Sequence, residues 1–501
     1  MTNTTVLIGI CCYFACIIFI GFLLRHKNKG AEDFLVGGRS FGLLFNSGTL
    51  IAVFLGGAMV IGTPGTVTTF GIWDSEARWG FLVGIGAGLC LLLAGMFYMR
   101  KLWELKLLSL GDYFYKRFGN SAGLTATILL CFTFTVYIAV QIVSFAKVGV
   151  SLAGMSLTAW IMISMAVICT YTVLGGLWAV CLTDIIQVSI VTLSIIILTP
   201  VTISMVGGWD AFVANFPTEK LEVFPTENTV DDWMAWSAAL LMVGLGSICS
   251  PDLMQRAFSA KTARVAKHSA YVATIVFVAM NTLVVILAFA TVQLMDQGDM
   301  DSSFMEHDPE MLIPMAFQQL MPTPIVIIFL GAVLAAVMSC AATSNIALAG
   351  VISKNLIKDF FVKDMSDRGL MNLTRVVVVA IGAVGAYIAI ALPSAFMLAA
   401  LGFDLIFSCL FIPLTLGLYW KGANGYGAIA GMIGGAAFRI VGSGLVNGFS
   451  LEGIGTPHES WQIFTLGGPM VSLAAMVLVS FATQKLNKPI EVLAEQEEKA
   501  A

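Results

Sequence analysis

The sequence predicts an all-α integral membrane protein of about thirteen spanning helices, and three observations carry that prediction. First, 58% of the 501 residues are hydrophobic and only 11% are charged, with a mean hydropathy of +0.91; a soluble domain carries about 25% charged residues. Second, apolar runs recur at close to the ~20 residues that a helix needs to cross hydrocarbon. Third, basic residues collect in alternate loops, as they do on the cytoplasmic side of membrane proteins.

The first run, 5–24, is followed by Arg25, Lys27 and Lys29. A cleavable signal has its positive charge in front and a small-residue cleavage site behind, so this run reads as a retained helix with its N-terminus outside. Further spans are expected at 46–70, 80–99, 122–150, 157–174, 178–204, 236–253, 268–294, 324–352, 373–391, 395–418, 423–445 and 462–483. The basic loops around Arg100 to Arg117, Arg256 to Lys267 and Lys354 to Arg368 alternate with acidic ones around Asp231 and Asp308. That alternation fits an odd number of spans and a polar cytoplasmic tail, 484–501, in a plasma or cell inner membrane. No loop is long enough for a soluble domain, so the chain reads as a single transmembrane unit. Lys147, near an outer helix end, is placed to snorkel to the interface.

Composition also excludes several functions. A formal net charge of −4 argues against a nucleic-acid partner. The ten cysteines lie in apolar stretches without a C-x-x-C pair, and the four histidines are scattered. Neither a disulfide framework nor a zinc site is indicated. Without a Ser–His–acid or Cys–His constellation, no enzyme activity or organic cofactor is expected.

One span is irregular. NSGTLIAVFLGGAMVIGTPG (46–65) carries Gly56 and Gly57 together at its middle. Such a pair lets a backbone unwind or approach a ligand, and equally permits close packing between helices. Broken helices at membrane depth persist only where they face protein, water or an ion.

Several stretches resemble the sodium/solute symporter family: FLVGGRS (34–40), LSLGDYFYKRFG (108–119), YTVLGGLWAVCLTDIIQ (171–187), DLMQRAFSAK (252–261), GAVLAAVMSCAATSN (331–345) and FIPLTLGLYWKGANGYGAIAGM (411–432). They stand in the family's order and cover nearly the whole chain. Within the family, VGGRSFGLLF (36–45), the glycine pair and FRIVGSG (438–444) are similar to the choline-transporter branch. The resemblance implies sodium-coupled symport of a small organic solute on a leucine-transporter-type fold of two inverted five-helix repeats. The repeats would occupy 46–204 and 236–418, with extra helices in 1–45 and 419–483. It also implies a second broken helix at 236–253, where Gly244 and Gly246 mark the expected break. A passive channel or uniporter, or a transporter-like sensor, remains open on the same scaffold, as does the oligomeric state.

Sodium is a hard cation that takes oxygen ligands. The family likeness places it on the carbonyls of Ala52, Leu55 and Ala336 and the hydroxyl of Ser339. Cys340 stands where a second hydroxyl is usual, and a thiol is a poor ligand for sodium. Asp184 with Thr343 is a candidate for a second sodium, although Ala342 replaces one expected hydroxyl. The alternative for Asp184 is a structural bond to backbone or to Gln187. Around the two breaks, Phe54, Gly56, Gly57, Met59, Gly246, Ser247 and Ser250 are expected to line the solute pocket, with Tyr137 and Gln141 from a third side. Ser250 stands where the choline branch has a tryptophan, so its aromatic cage is not reproduced. Asp404 is a further acid at membrane depth, suited to balancing a cationic amine or zwitterion, to holding a gate, or to a structural hydrogen bond.

Overall fold

The computed structural model describes residues 31–70, 82–216, 229–298, 300–450 and 461–490, with isolated positions besides. Among the described residues, eleven helical segments are long and apolar enough to cross a membrane, and one bent pair brings the number to twelve. Each corresponds to an expected span; of the remaining one, 5–24, only isolated positions are described.

The bent pair is α1 (Leu43–Phe54) and α2 (Thr63–Phe70), joined through a π-helical turn at Ala58–Gly62 and bent by 53°. Next come α3 (Leu82–Leu93), the amphipathic α4 (Leu110–Phe118) and α5 (Asn120–Ala153). The motif around Gly111 and Asp112 is explained by α4. Ser109 and Asp112 form a capping box, and Asp112 also binds Lys354 and, at 2.6 Å, Asn355. Burial alone would raise the Asp112 carboxyl, but the Lys354 ammonium and these donors hold it below the usual range. Arg117, from the same motif, donates to the carbonyls of Gly417, Trp420 and Ala423, at the end of a later helix and in the turn that follows it.

Helix α6 (Leu157–Val206) is helical over 50 residues and carries two spans, Leu157–Leu174 and Val180–Val206. The Tyr171 hydroxyl meets that of Thr183, twelve positions later. In a straight helix these residues would stand ~18 Å apart, so the helix is sharply bent between them.

The second break is displaced from its expected place. Helix α7 (Val230–Gly246) includes both Gly244 and Gly246, and Gly246 has helical φ −62° and ψ −45°. The interruption comes at Ser247–Cys249 and extended Ser250 (φ −68°, ψ 127°), before α8 (Pro251–Ser259). Pro251 explains the shift: its ring pushes the preceding residue out of the helical region, and proline favours the first position of a new helix.

The remaining spans are α9 (Ala263–Asp296), α10 (Thr323–Val351), α11 (Asp367–Ala391), α12 (Ala395–Ile406, continued to Tyr419), α13 (Gly425–Asn447) and α14 (Trp461–Thr483). Lys147 does not snorkel. Its side chain, 4% exposed, pairs with Asp308 and Glu310 at 2.7 Å each. Glu310 in turn accepts from the N–H groups of Ala395 and Phe396 at the start of α12. Burial works against that carboxyl's charge, yet Lys147 and the helix amides keep its pKa below the ordinary value. An acidic loop thus locks α5 to α12, an arrangement that outweighs the modest gain of reaching water.

Candidate functional site

The site begins where α1 stops being a helix. Leu55 has non-helical φ −81° and ψ 44°, although its N–H still reaches the Ile51 carbonyl at 2.9 Å. The rung from Gly57 to Val53 is not made. Instead, Gly57 N–H donates to Gln141 Oε1 at 3.0 Å. The Val53 carbonyl accepts from the Tyr137 hydroxyl at 3.2 Å and the Cys340 thiol at 3.3 Å. Helices α5 and α10 therefore supply partners that the broken helix lacks. No donor among the described residues meets the carbonyls of Ala52 and Leu55, two residues that are 6% and 0% exposed. An unpaired carbonyl costs several kcal/mol in such surroundings, which suits it to a cation.

The glycine pair serves close approach. A Cβ on Gly56 would stand 2.9 Å from Gln141 Oε1 and 3.0 Å from Cys340 Sγ, and one on Gly57 would overlap the Ser144 side chain. Both roles left open by the sequence, break and packing, are therefore present together. At the second break, the hydroxyls of Ser247 and Ser250 are buried without a hydrogen-bond partner among the described residues, as is Gln141 Nε2.

Beside the first break lies a buried polar cluster. Ser339 on α10 donates to Asp184 on α6, so its lone pairs, not its proton, are free to face a cation. Arg256 Nη2 reaches Asp184 Oδ2 at 3.0 Å and Thr343 Oγ1 at 2.8 Å. The guanidinium thus engages both residues expected to hold a second sodium. Arg256 was expected in a solvated basic loop; it is 0% exposed, because all nine residues of α8 are buried and Asp184 neutralises its charge. Gln187, the alternative partner for Asp184, leaves both of its amide atoms unpaired among the described residues.

The other expected residues divide by place. The Phe54 ring lies 5.8 Å from Phe277, and the Tyr137 ring 5.1 Å from Phe403. Met59 and Ala336 are buried. Gly246 faces the Phe403 carbonyl, where a Cβ would come within 2.5 Å. Asp404 pairs instead with Arg439 on α13, a buried ion pair tying α12 to α13. Arg439 was legible only as part of the FRIVGSG stretch. No group of three or more His, Cys, Asp or Glu side chains suited to a metal ion occurs among the described residues. A cation here would depend on main-chain and hydroxyl oxygens.

Comparison with known proteins follows the same lines. The model of the sodium:solute symporter family matches residues 34–435. The chain is 27% identical over 453 residues to the human high affinity choline transporter 1, covering 87% of this chain and 76% of that protein. It is 28% identical over 452 residues to the sodium/proline symporter of Escherichia coli, covering 88% of each. Among solved structures, a Na+-coupled sialic acid symporter in a substrate-bound outward-open state superposes with a TM-score of 0.79 at 18% identity, covering 98% of this chain and 99% of that one.

Proposed function

We propose, from the premise that the chain belongs to the sodium:solute symporter family, that sodium and solute bind side by side at the two helix breaks. The protein is a multi-pass membrane transporter that couples uptake of a small organic solute to sodium. The finer reading rests on one observation: the buried carbonyls of Ala52 and Leu55 lack donors. Sodium is bound there with the Ala336 carbonyl and the Ser339 hydroxyl. The Cys340 thiol, donating to Val53, is a spectator. The solute lies against Phe54, Gly56, Gly57, Met59, Tyr137, Gln141 and Gly246, where the free hydroxyls of Ser247 and Ser250 and the free Nε2 of Gln141 can meet it. A small amine or zwitterion suits these groups, and relatives are named for choline and proline. Asp404 holds α12 in place. The N-terminus is outside and the tail cytoplasmic, a reading that the alternation of basic loops supports.

No bond is made or broken in such a cycle, so no catalytic group is needed. One sodium moving down ~100 mV gains about 2.3 kcal/mol, and a tenfold gradient adds about 1.4. At one-to-one stoichiometry that supports roughly 500-fold accumulation.

The direct test is uptake of a solute panel into proteoliposomes with an inward sodium gradient. Accumulation should appear for one solute class and vanish when potassium replaces sodium; downhill flux indifferent to sodium would instead indicate a uniporter. Ser339→Ala should raise the sodium half-saturation about tenfold or more while changing maximal transport less, because one charge-oriented ligand is lost. Cys340→Ser should tighten sodium several-fold by restoring a hard oxygen. Unchanged sodium dependence in both variants would move the ion elsewhere.

A further inference from the structure

Asp252 is a buried acid that the site described above leaves unused. It is 0% exposed and lies in the first turn of α8, directly after the second break. One carboxylate oxygen accepts from the Ser344 hydroxyl and the other from the Leu253 N–H, both at 2.7 Å. No cation lies within ion-pair distance of it among the described residues. That separates it from the other interior acids. Asp184 has Arg256, Asp404 has Arg439, Asp112 has Lys354 and Glu310 has Lys147. Asp232, also buried, bonds to Thr229 at the N-terminus of α7.

Between the two breaks, then, Asp184 and Asp252 face a single guanidinium, and one negative charge is left over. Helix geometry gives its distance from the first break. Ser344 stands one turn, ~6 Å, along α10 from Cys340, and the Cys340 thiol meets the Val53 carbonyl at 3.3 Å. A buried carboxylate without a cation is costly, and a cation nearby removes the cost.

We infer that Asp252 supplies the fixed countercharge for the sodium ion at the first break, acting through space and not as a ligand. This rests on the reading that sodium binds Ala52, Leu55, Ala336 and Ser339. All four of those oxygens are neutral, and Cys340 removes a fifth. A formal charge ~10 Å away offsets that weak shell. An acid that merely stabilises the start of α8 would affect folding and leave sodium affinity alone.

The experiment uses the full-length protein, purified in a potassium buffer, with the sodium half-saturation read from the shift in melting temperature. Asp252→Asn and Asp252→Val should each bind sodium about tenfold more weakly, the effect of one charge at ~10 Å in a partly buried site. Asp252→Glu should stay within about threefold of wild type. In sodium-free buffer both neutral variants should melt at or above the wild-type temperature, since a lone buried charge has been removed. Wild-type sodium affinity in either neutral variant, or failure of both to fold, overturns the proposal. Ser339→Ala serves as the control. If it weakens sodium and the neutral variants do not, the countercharge fails alone; if it too has no effect, the ion site itself is misplaced.

Discussion

Arg256→Met is expected to destabilise the protein by about 3–5 kcal/mol, because it leaves Asp184 as an uncompensated charge in a dry interior. Both side chains are fully enclosed, at 0% and 1% exposure, and the guanidinium also holds Thr343. Sodium dependence should change as well. Ser339 directs its proton at Asp184, and a carboxylate that has lost its cation will draw that hydroxyl differently. Thermal melting of the purified protein measures the first effect. The double replacement Arg256→Met with Asp184→Asn removes both charges and should recover more than half of the lost stability. A single variant that melts like wild type would mean that the pair is solvated and the cluster is not dry.

The second large effect is expected at Gly57. Its backbone is ordinary right-handed helix, φ −59° and ψ −39°, so conformational freedom is not the reason glycine stands there. The reason is space: an added Cβ falls within the Ser144 side chain, which is itself tied to the Val140 carbonyl at 2.8 Å. Gly57→Ala should therefore push α1 off α5, cost about 1–3 kcal/mol, and lower transport at least tenfold by pulling Gly57 N–H away from Gln141. Removing the obstacle tests the cause. Gly57→Ala combined with Ser144→Gly should regain much of the transport, less the roughly 1 kcal/mol that a mid-helix glycine costs. No loss in the single variant, or no rescue in the double one, would show that contact with Ser144 does not govern this helix.

Much of the fold could be read from the chain alone. Apolar runs near bilayer length marked the spans, because the hydrocarbon selects for them residue by residue. The glycine pair marked the first break for the same kind of local reason. Gly244 and Gly246 were misleading, and the better local signal was Pro251, whose ring forbids the residue before it from staying helical. Arg256 was misread because a basic residue just past an apolar run looks like a loop charge; nothing adjacent to it shows that α8 turns back into the interior.

By itself, then, the sequence determined the membrane class, the order of the spans, the interrupted helix at Gly56 and Gly57, and the family, all of them properties of short stretches and their spacing. Only the tertiary structure decided which charges meet. Arg256 finds Asp184 across 72 positions of chain, Asp404 finds Arg439 across 35, and Asp252 finds no cation among the described residues. Hydrophobicity and helix breaking act through neighbours and solvent, and so leave a local trace. Charge pairing in a low-dielectric interior acts over a few ångströms between distant segments, so its outcome exists only once the helices have packed.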